Sequence, residues 1–320
     1  MNKLDGKVAV ITGGNKGNIK MKKIALFSIV LLFSLFALLS CSSTKNTPKN
    51  VDEISSTMEI QFIRSATVTI TYKNTKILVD PLLGDKSSEE PIKYSNNKKI
   101  PTIQLPIDKN QLIKDVDAVL LTHYHPDHFD LEAERILPKN ILIFCQPYDE
   151  KNLKDKGFSN LQVIDSVFNW QEITISRFPA RHYKGATGAP PFGESSSYFL
   201  QTKNETVFFT GDAIFDDRLK SSLTATQPKL IIANTGECQF TEENPVLAPG
   251  ITMTLTRIEL NEMTRLLPES KIIAVHMDAI NHCSLTKDEL GKYIENEKLE
   301  KKIVVPNEGD KMFYNQIINN

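Results

Sequence analysis

The densest chemistry in the chain is Thr122-His123-Tyr124-His125-Pro126-Asp127-His128, where three of the six histidines fall within six consecutive positions. Imidazole nitrogens and carboxylate oxygens are the donors that borderline divalent cations favour at catalytic sites. In an extended stretch, His123 and His125 project to the same side. Pro126 then bends the chain, so that Asp127 and His128, read as the start of a helix, approach from another direction. A surface loop gains nothing from such crowding, whereas a metal centre requires it.

Those side chains need rigid elements behind them, and the apolar pattern supplies candidates. Runs rich in β-branched residues predict strands at Ile60–Ile63, Thr67–Tyr72, Lys76–Val79, Ala118–Leu121, Ile141–Phe144, Ile173–Phe178, Ser197–Leu200, Thr206–Thr210, Leu230–Ala233 and Ile272–Val275. Lys73-Asn74-Thr75 reads as a hairpin turn. Helical periodicity marks Phe129–Leu137 and Thr252–Leu267, each stopped by a proline, and Lys287–Lys298. Several strands end directly before a polar residue, and the histidine run itself follows Ala118–Leu121. Early hairpins, later strand and helix alternation, and reactive residues at strand ends imply a layered α/β fold with a site along one edge.

The HxHxDH run resembles the signature of the metallo-β-lactamase superfamily, and the likeness extends over most of the chain after Met58. That resemblance implies a four-layer αββα sandwich, with two mixed sheets and outer helices, over residues 58–318. It implies His123 and His125 on one metal ion, and Asp127 and His128 on a second. His182 in Pro179-Ala180-Arg181-His182 matches the third ligand of the first ion. Asp212 after Gly211 matches the bridging carboxylate, His276 the last ligand of the second ion, and Asp80 an early aspartate that orients ligands. The implied activity is hydrolysis of an ester, lactone or phosphodiester bond in a small molecule by a metal-bridging hydroxide, with Asp212 catalytic. Zinc is the expected metal, and the same donors accept manganese or iron. The stretches Pro179 to Gly185, Thr210 to Phe215 and Val275 to Cys283 resemble the branch of ascorbate-6-phosphate lactonase and N-acyl phosphatidylethanolamine phospholipase D. His282 is expected to donate a proton to the leaving group or to touch substrate. Arg181, Tyr183 and Lys184 are candidates to bind an anionic group. The competing function is a non-catalytic metal-binding lipoprotein with the same ligands.

The first sixty residues are of another kind. Met21-Lys22-Lys23, an apolar run from Ile24 to Leu39, and Leu38-Leu39-Ser40-Cys41 predict a lipoprotein export signal over residues 21–41, with the mature chain lipid-anchored at Cys41. Residues 42–57 read as a flexible tether, and the cell envelope, periplasmic or outer face, is the expected location, or the cytoplasm where the signal is unused. Residues 1–17 resemble a truncated short-chain dehydrogenase opening. Its glycines lead into the signal rather than a helix, so no dinucleotide site follows, and residues 1–20 read as a fused or artefactual extension. Tyr94 and Lys98 form a YxxxK pair, but in a loop and far too early for that family's catalytic pair. With 38 basic and 39 acidic side chains, a net charge of −1 creates no global field toward nucleic acid or an anionic surface, and neither is expected to bind by charge. The four cysteines show no CxxC spacing and no dense disulfide framework, and Cys145 reads as core. Nothing in the chain fixes an oligomeric state.

Overall fold

The computed structural model describes residues 57–183 and 193–320. The export signal, Cys41, the dehydrogenase-like opening, Lys184 and nearly all of the expected tether lie outside those residues. In the first sheet, β1 (Glu59–Arg64), β2 (Thr67–Tyr72) and β3 (Thr75–Val79) form an antiparallel meander. Lys73 takes φ +54° in the tight turn between β2 and β3. β4 (Ala118–Leu120), β5 (Leu142–Cys145) and β6 (Leu161–Val163) then continue in parallel from β3, and β14 (Lys311–Phe313) closes the far edge beside β1.

The second sheet repeats this plan. β7 (Val167–Trp170), β8 (Ile173–Ala180), β9 (Ser195–Gln201) and β10 (Thr206–Phe209) are antiparallel, and β11 (Leu230–Asn234), β12 (Lys271–Val275) and β13 (Ile303–Val304) extend β10 in parallel. Both are thus seven-stranded mixed sheets.

Strand alternation sorts the side chains into layers. Ile77, Val79, Ala118 and Leu120 of the first sheet meet Ile175, Leu200, Val207, Phe209 and Ile232 of the second in one buried cluster between the sheets. The opposite faces bury against helices. Leu78, Val119 and Ile143 pack with Leu112, Ala133 and Leu153 from α1 (Lys109–Ile113), α2 (Leu131–Ile136) and α3 (Glu150–Asp155). Phe208, Ile231 and Ile272 pack with Leu219, Leu260 and Leu290 from α4 (Asp217–Thr226), α5 (Arg257–Leu266) and α6 (Lys287–Glu297). The layers therefore run helix, sheet, sheet, helix, as expected from the sequence. A last short helix, α7 (Tyr314–Asn319), buries Tyr314 and Ile317 in the cluster between the sheets.

Each strand expected from the sequence is present to within two residues at either end. Two helix starts differ. Asp127 and His128 lie in the turn ahead of α2, which begins only where the Asp130 side chain accepts from the Ala133 N–H. The helix expected from Thr252 begins at Arg257, because Thr256 and Glu259 close a reciprocal capping box there. Residues 252–255 instead form an isolated bridge, Thr252 to Gln239, followed by a bend.

Candidate metal centre

The carboxyl ends of β3, β4, β8, β10 and β12 deliver the predicted ligands to one place. Asp80 follows β3, the histidine run follows β4, His182 follows β8, Asp212 follows β10 and His276 follows β12. Two groups of donor atoms result, each with its ligand atoms within 4.8 Å of one another: His123, His125 and His182 in the first, Asp127, His128, Asp212 and His276 in the second.

Asp212 joins the groups. Its Oδ2 lies 3.5 Å from His182 Nε2 and 4.0 Å from His123 Nε2. Its Oδ1 lies 3.3 Å from His128 Nε2 and 3.6 Å from His276 Nε2. One carboxylate thus offers one oxygen to each group. Gly211 makes this approach feasible: at φ +57°, a Cβ added there would sit 2.5 Å from the Ser196 carbonyl oxygen.

The outer nitrogens of the rings are fixed by neighbours that the sequence reading did not single out, apart from Asp80. Asp80 Oδ2 accepts from Thr122 Oγ1 at 2.7 Å and lies 2.9 Å from His128 Nδ1, while its Oδ1 accepts from the Thr122 N–H at 2.8 Å. Met253 O is 3.1 Å from His182 Nδ1, and Asn234 Nδ2 donates to Asp212 Oδ1 at 2.8 Å. Such contacts set the tautomer and aim of a ligand. His276 itself stands at φ +69°, a left-handed conformation that costs a non-glycine residue about 1–3 kcal/mol. Its N–H is anchored on the Ser65 carbonyl at 2.8 Å.

A disulfide links Cys238 and Cys283, and both sulfurs lie against His276 Nδ1, at 3.5 and 3.4 Å. The sequence reading left Cys283 unassigned, since a pair 45 residues apart shows no spacing signal. Cys145 is buried and free, as expected.

The electrostatics of the cluster ask for positive charge. Burial would push Asp212 up, but His276 and His128 overrule it and hold the carboxyl well below the usual range. Burial would likewise drive His128 down, yet Asp212, Asp80 and Asp127 keep it protonated well above an ordinary histidine, and His276 is raised for the same kind of reason. His123, by contrast, is pushed well down by burial and by the neighbouring His128 and His125, and its buried Nε2 has no hydrogen bond. Protons on His128 and His276 thus carry charge that a divalent cation would take over on displacing them. The donor set of imidazoles and carboxylates fits such an ion. Asp80→Ala is expected to weaken metal affinity by roughly 10- to 100-fold, read by competition with a chromophoric chelator. An unchanged affinity would show that Asp80 does not orient His128.

A cavity of about 450 Å³ opens against the cluster and is lined by His125, Asp127, His182 and Asp212. His282 also lines it, 7% exposed, with Nδ1 lacking a partner among the described residues and burial pushing the ring down to about 4. Of the suggested anion-binding residues, Arg181 lies 3.5 Å from Asp216 and lines a neighbouring cavity that shares His182, Tyr183 packs in an apolar cluster with Phe240, Leu247 and Met253, and Lys184 lies outside the described residues. Tyr94 packs edge-on against Phe240.

Residues 75–277 match the family described as beta-lactamase superfamily domain. The UPF0173 protein YddR of Bacillus subtilis (strain 168) is 30% identical over 257 residues, which cover 79% of this chain and 98% of the relative. A possible metal-dependent hydrolase from Veillonella parvula DSM 2008 superposes with a TM-score of 0.74 at 27% identity, over 80% of this chain and 99% of its own. Isothiocyanate hydrolase from Delia radicum gut bacteria gives a TM-score of 0.73 at 28% identity, over 80% and 98% of the two chains.

Proposed function

The chain belongs to the beta-lactamase superfamily domain family, and on that premise we propose that this metal-dependent hydrolase cleaves an ester, lactone or phosphodiester bond in a small molecule, using two cations bridged by Asp212. The observation that carries the reading is the division of Asp212, one oxygen toward His123 and His182 and the other toward His128 and His276. In this reading His123, His125 and His182 hold one cation, Asp127, His128 and His276 the other, and zinc suits the donors best, with manganese or iron accepted. When bound, the cations supply the Lewis acidity that polarises the scissile group and acidifies a shared water.

The protein's own part is positional. Asp80, Thr122, Asn234 and the Met253 carbonyl hold the ligands in register, so no reorganisation is needed as charge develops. His282 faces the same cavity with Nδ1 unpartnered among the described residues, a position from which its neutral ring can contact substrate. The open cavity favours catalysis over a storage or structural role, which would close the coordination sphere. No lysine or arginine is among the described residues lining it, which favours an ester or lactone without negative charge over the anionic phosphodiester. The signal-like stretch ending at Cys41 supports a lipid-anchored location at the cell envelope.

The test is a panel of lactones, carboxylic esters, phosphodiesters and, because of the isothiocyanate hydrolase relative, isothiocyanates, offered to zinc-reconstituted protein. Hydrolysis of one class, lost on chelation and restored by zinc, is the expected result. Metal-loaded protein that turns over nothing on the panel would favour the non-catalytic alternative.

A further inference from the structure

Asp149 is a buried acid that neither the ligand cluster nor the helix beside it uses. It is 2% exposed, yet it lines the cavity that holds the metal cluster. It stands at the N-cap of α3, but its side chain makes no capping bond. Instead Oδ2 accepts twice, from the Tyr124 N–H at 3.0 Å and from Gln146 Nε2 at 2.8 Å. Oδ1 has no hydrogen-bond partner among the described residues.

The orientation is built. Gln146 is fully buried, and its amide is itself pinned: Nε2 donates also to the Glu194 carbonyl at 2.6 Å, and Oε1 accepts from Ser196 Oγ at 2.6 Å. The adjacent Tyr148 lines the same cavity and packs against Gly193, where a Cβ would meet its ring at 2.7 Å. Besides the ligand carboxylates Asp127 and Asp212, Glu194 joins Asp149 in the same lining, and no lysine or arginine among the described lining residues offsets this pair. Only Oδ2 is hydrogen-bonded among the described residues, so ionising so buried a carboxylate is costly without a cation alongside. Burial pushes Asp149 up to about 7 against the hydrogen bonds from Gln146 and Tyr124, so it stays ionised most readily with a cation alongside.

We infer that Asp149 is a specificity-determining residue that takes the ammonium group of a cationic small-molecule substrate, with the Tyr148 ring beside it and the reacting bond at the metal cluster. The inference rests on the proposed metal-centred function and narrows its substrate class. An ammonium group on the free oxygen gains a charge-assisted hydrogen bond, and a neighbouring aromatic face adds cation–π attraction.

The experiment uses cobalt-substituted protein and two series of hydroxamates, ω-aminoalkyl and plain alkyl, of matched chain length. The hydroxamate binds the metal, the cobalt absorption spectrum reports it, and chain length samples the distance to Asp149. At one length the amine is expected to bind at least about tenfold more tightly than its alkyl counterpart, a difference of about 1.4 kcal/mol. Asp149→Asn should remove that preference while leaving metal content and alkyl hydroxamate affinity unchanged. Equal affinities at every length in the wild type, or a preference that survives Asp149→Asn, would overturn the inference. Loss of metal from Asp149→Asn would also overturn it, by showing that the carboxylate serves to hold the Tyr124 N–H of the metal loop. Absence of any spectral change with either series would instead sink the metal-centre reading on which it rests.

Discussion

Asp212→Ala is expected to lower kcat/KM by at least about 10³-fold, more than any substitution outside the ligand set, because removal of a single preorganised electrostatic contact already costs 10²–10³ in other active sites. Among the described carboxylates only Asp212 lies within 4.0 Å of ring nitrogens in both donor groups, so the variant loses the element that sets the spacing of the proposed cations and leaves Asn234 Nδ2 without its acceptor. Asp212→Asn tests whether charge or shape matters, since it preserves volume and one oxygen. Steady-state rates on whichever substrate class the panel identifies, with circular dichroism to confirm folding, provide the check. Rates for Asp212→Ala within tenfold of wild type would contradict the bridging role.

Arg64→Met is expected to produce the largest loss of stability away from the ligands. Arg64 is fully buried at the end of β1 and donates to three carbonyls: Ile103 at 3.0 Å, Leu82 at 2.6 Å and Gly84 at 2.9 Å. Burial lowers it only to about 10, so it remains charged at neutrality, with Asp130 and Asp85 partly offsetting the desolvation. Methionine keeps much of the volume and removes every donor. Orphaning two buried carbonyls and a part-buried third implies a loss of about 3 kcal/mol, which for a domain of this size lowers Tm by roughly 6–12 °C. The damage should reach the site as well. Ser65, next along, accepts the His276 N–H, and Gly84 donates to Asp130 at the start of α2. Differential scanning calorimetry is the measurement, and a Tm within about 2 °C of wild type would show that the three carbonyls find other donors.

His182, Asp212 and His276 are legible because each follows an apolar run and matches a ligand position that the metallo-β-lactamase resemblance implies; the runs alone do not single them out. The Cys238–Cys283 link, the Asn234 contact and the Tyr124 donor to Asp149 depend on segments far apart in sequence coming together, and no spacing announces them. Asn234 had a faint signal, since it ends a strand as the ligands do. Among the elements, α4 escaped because serines and threonines dilute its pattern, although Asp216 caps its start and Leu219 and Leu223 lie one turn apart on the buried face. The strands β13 and β14 are two and three residues long and exist by pairing with neighbours already in place, so local propensity had little to report. The helix expected from Thr252 started too early for an instructive reason. The apolar residues of 252–255 are buried beside the site, where Met253 supplies a carbonyl to His182.

Metal stoichiometry is the most direct test of the central proposal. Apo-protein dialysed against zinc and analysed by mass spectrometry of its metal content should hold two ions per chain, and His128→Ala should hold one, since it removes a donor from the second group and leaves His123, His125 and His182 intact. A wild-type chain that binds a single ion, or a His128→Ala variant that still binds two with unchanged affinity, would contradict it.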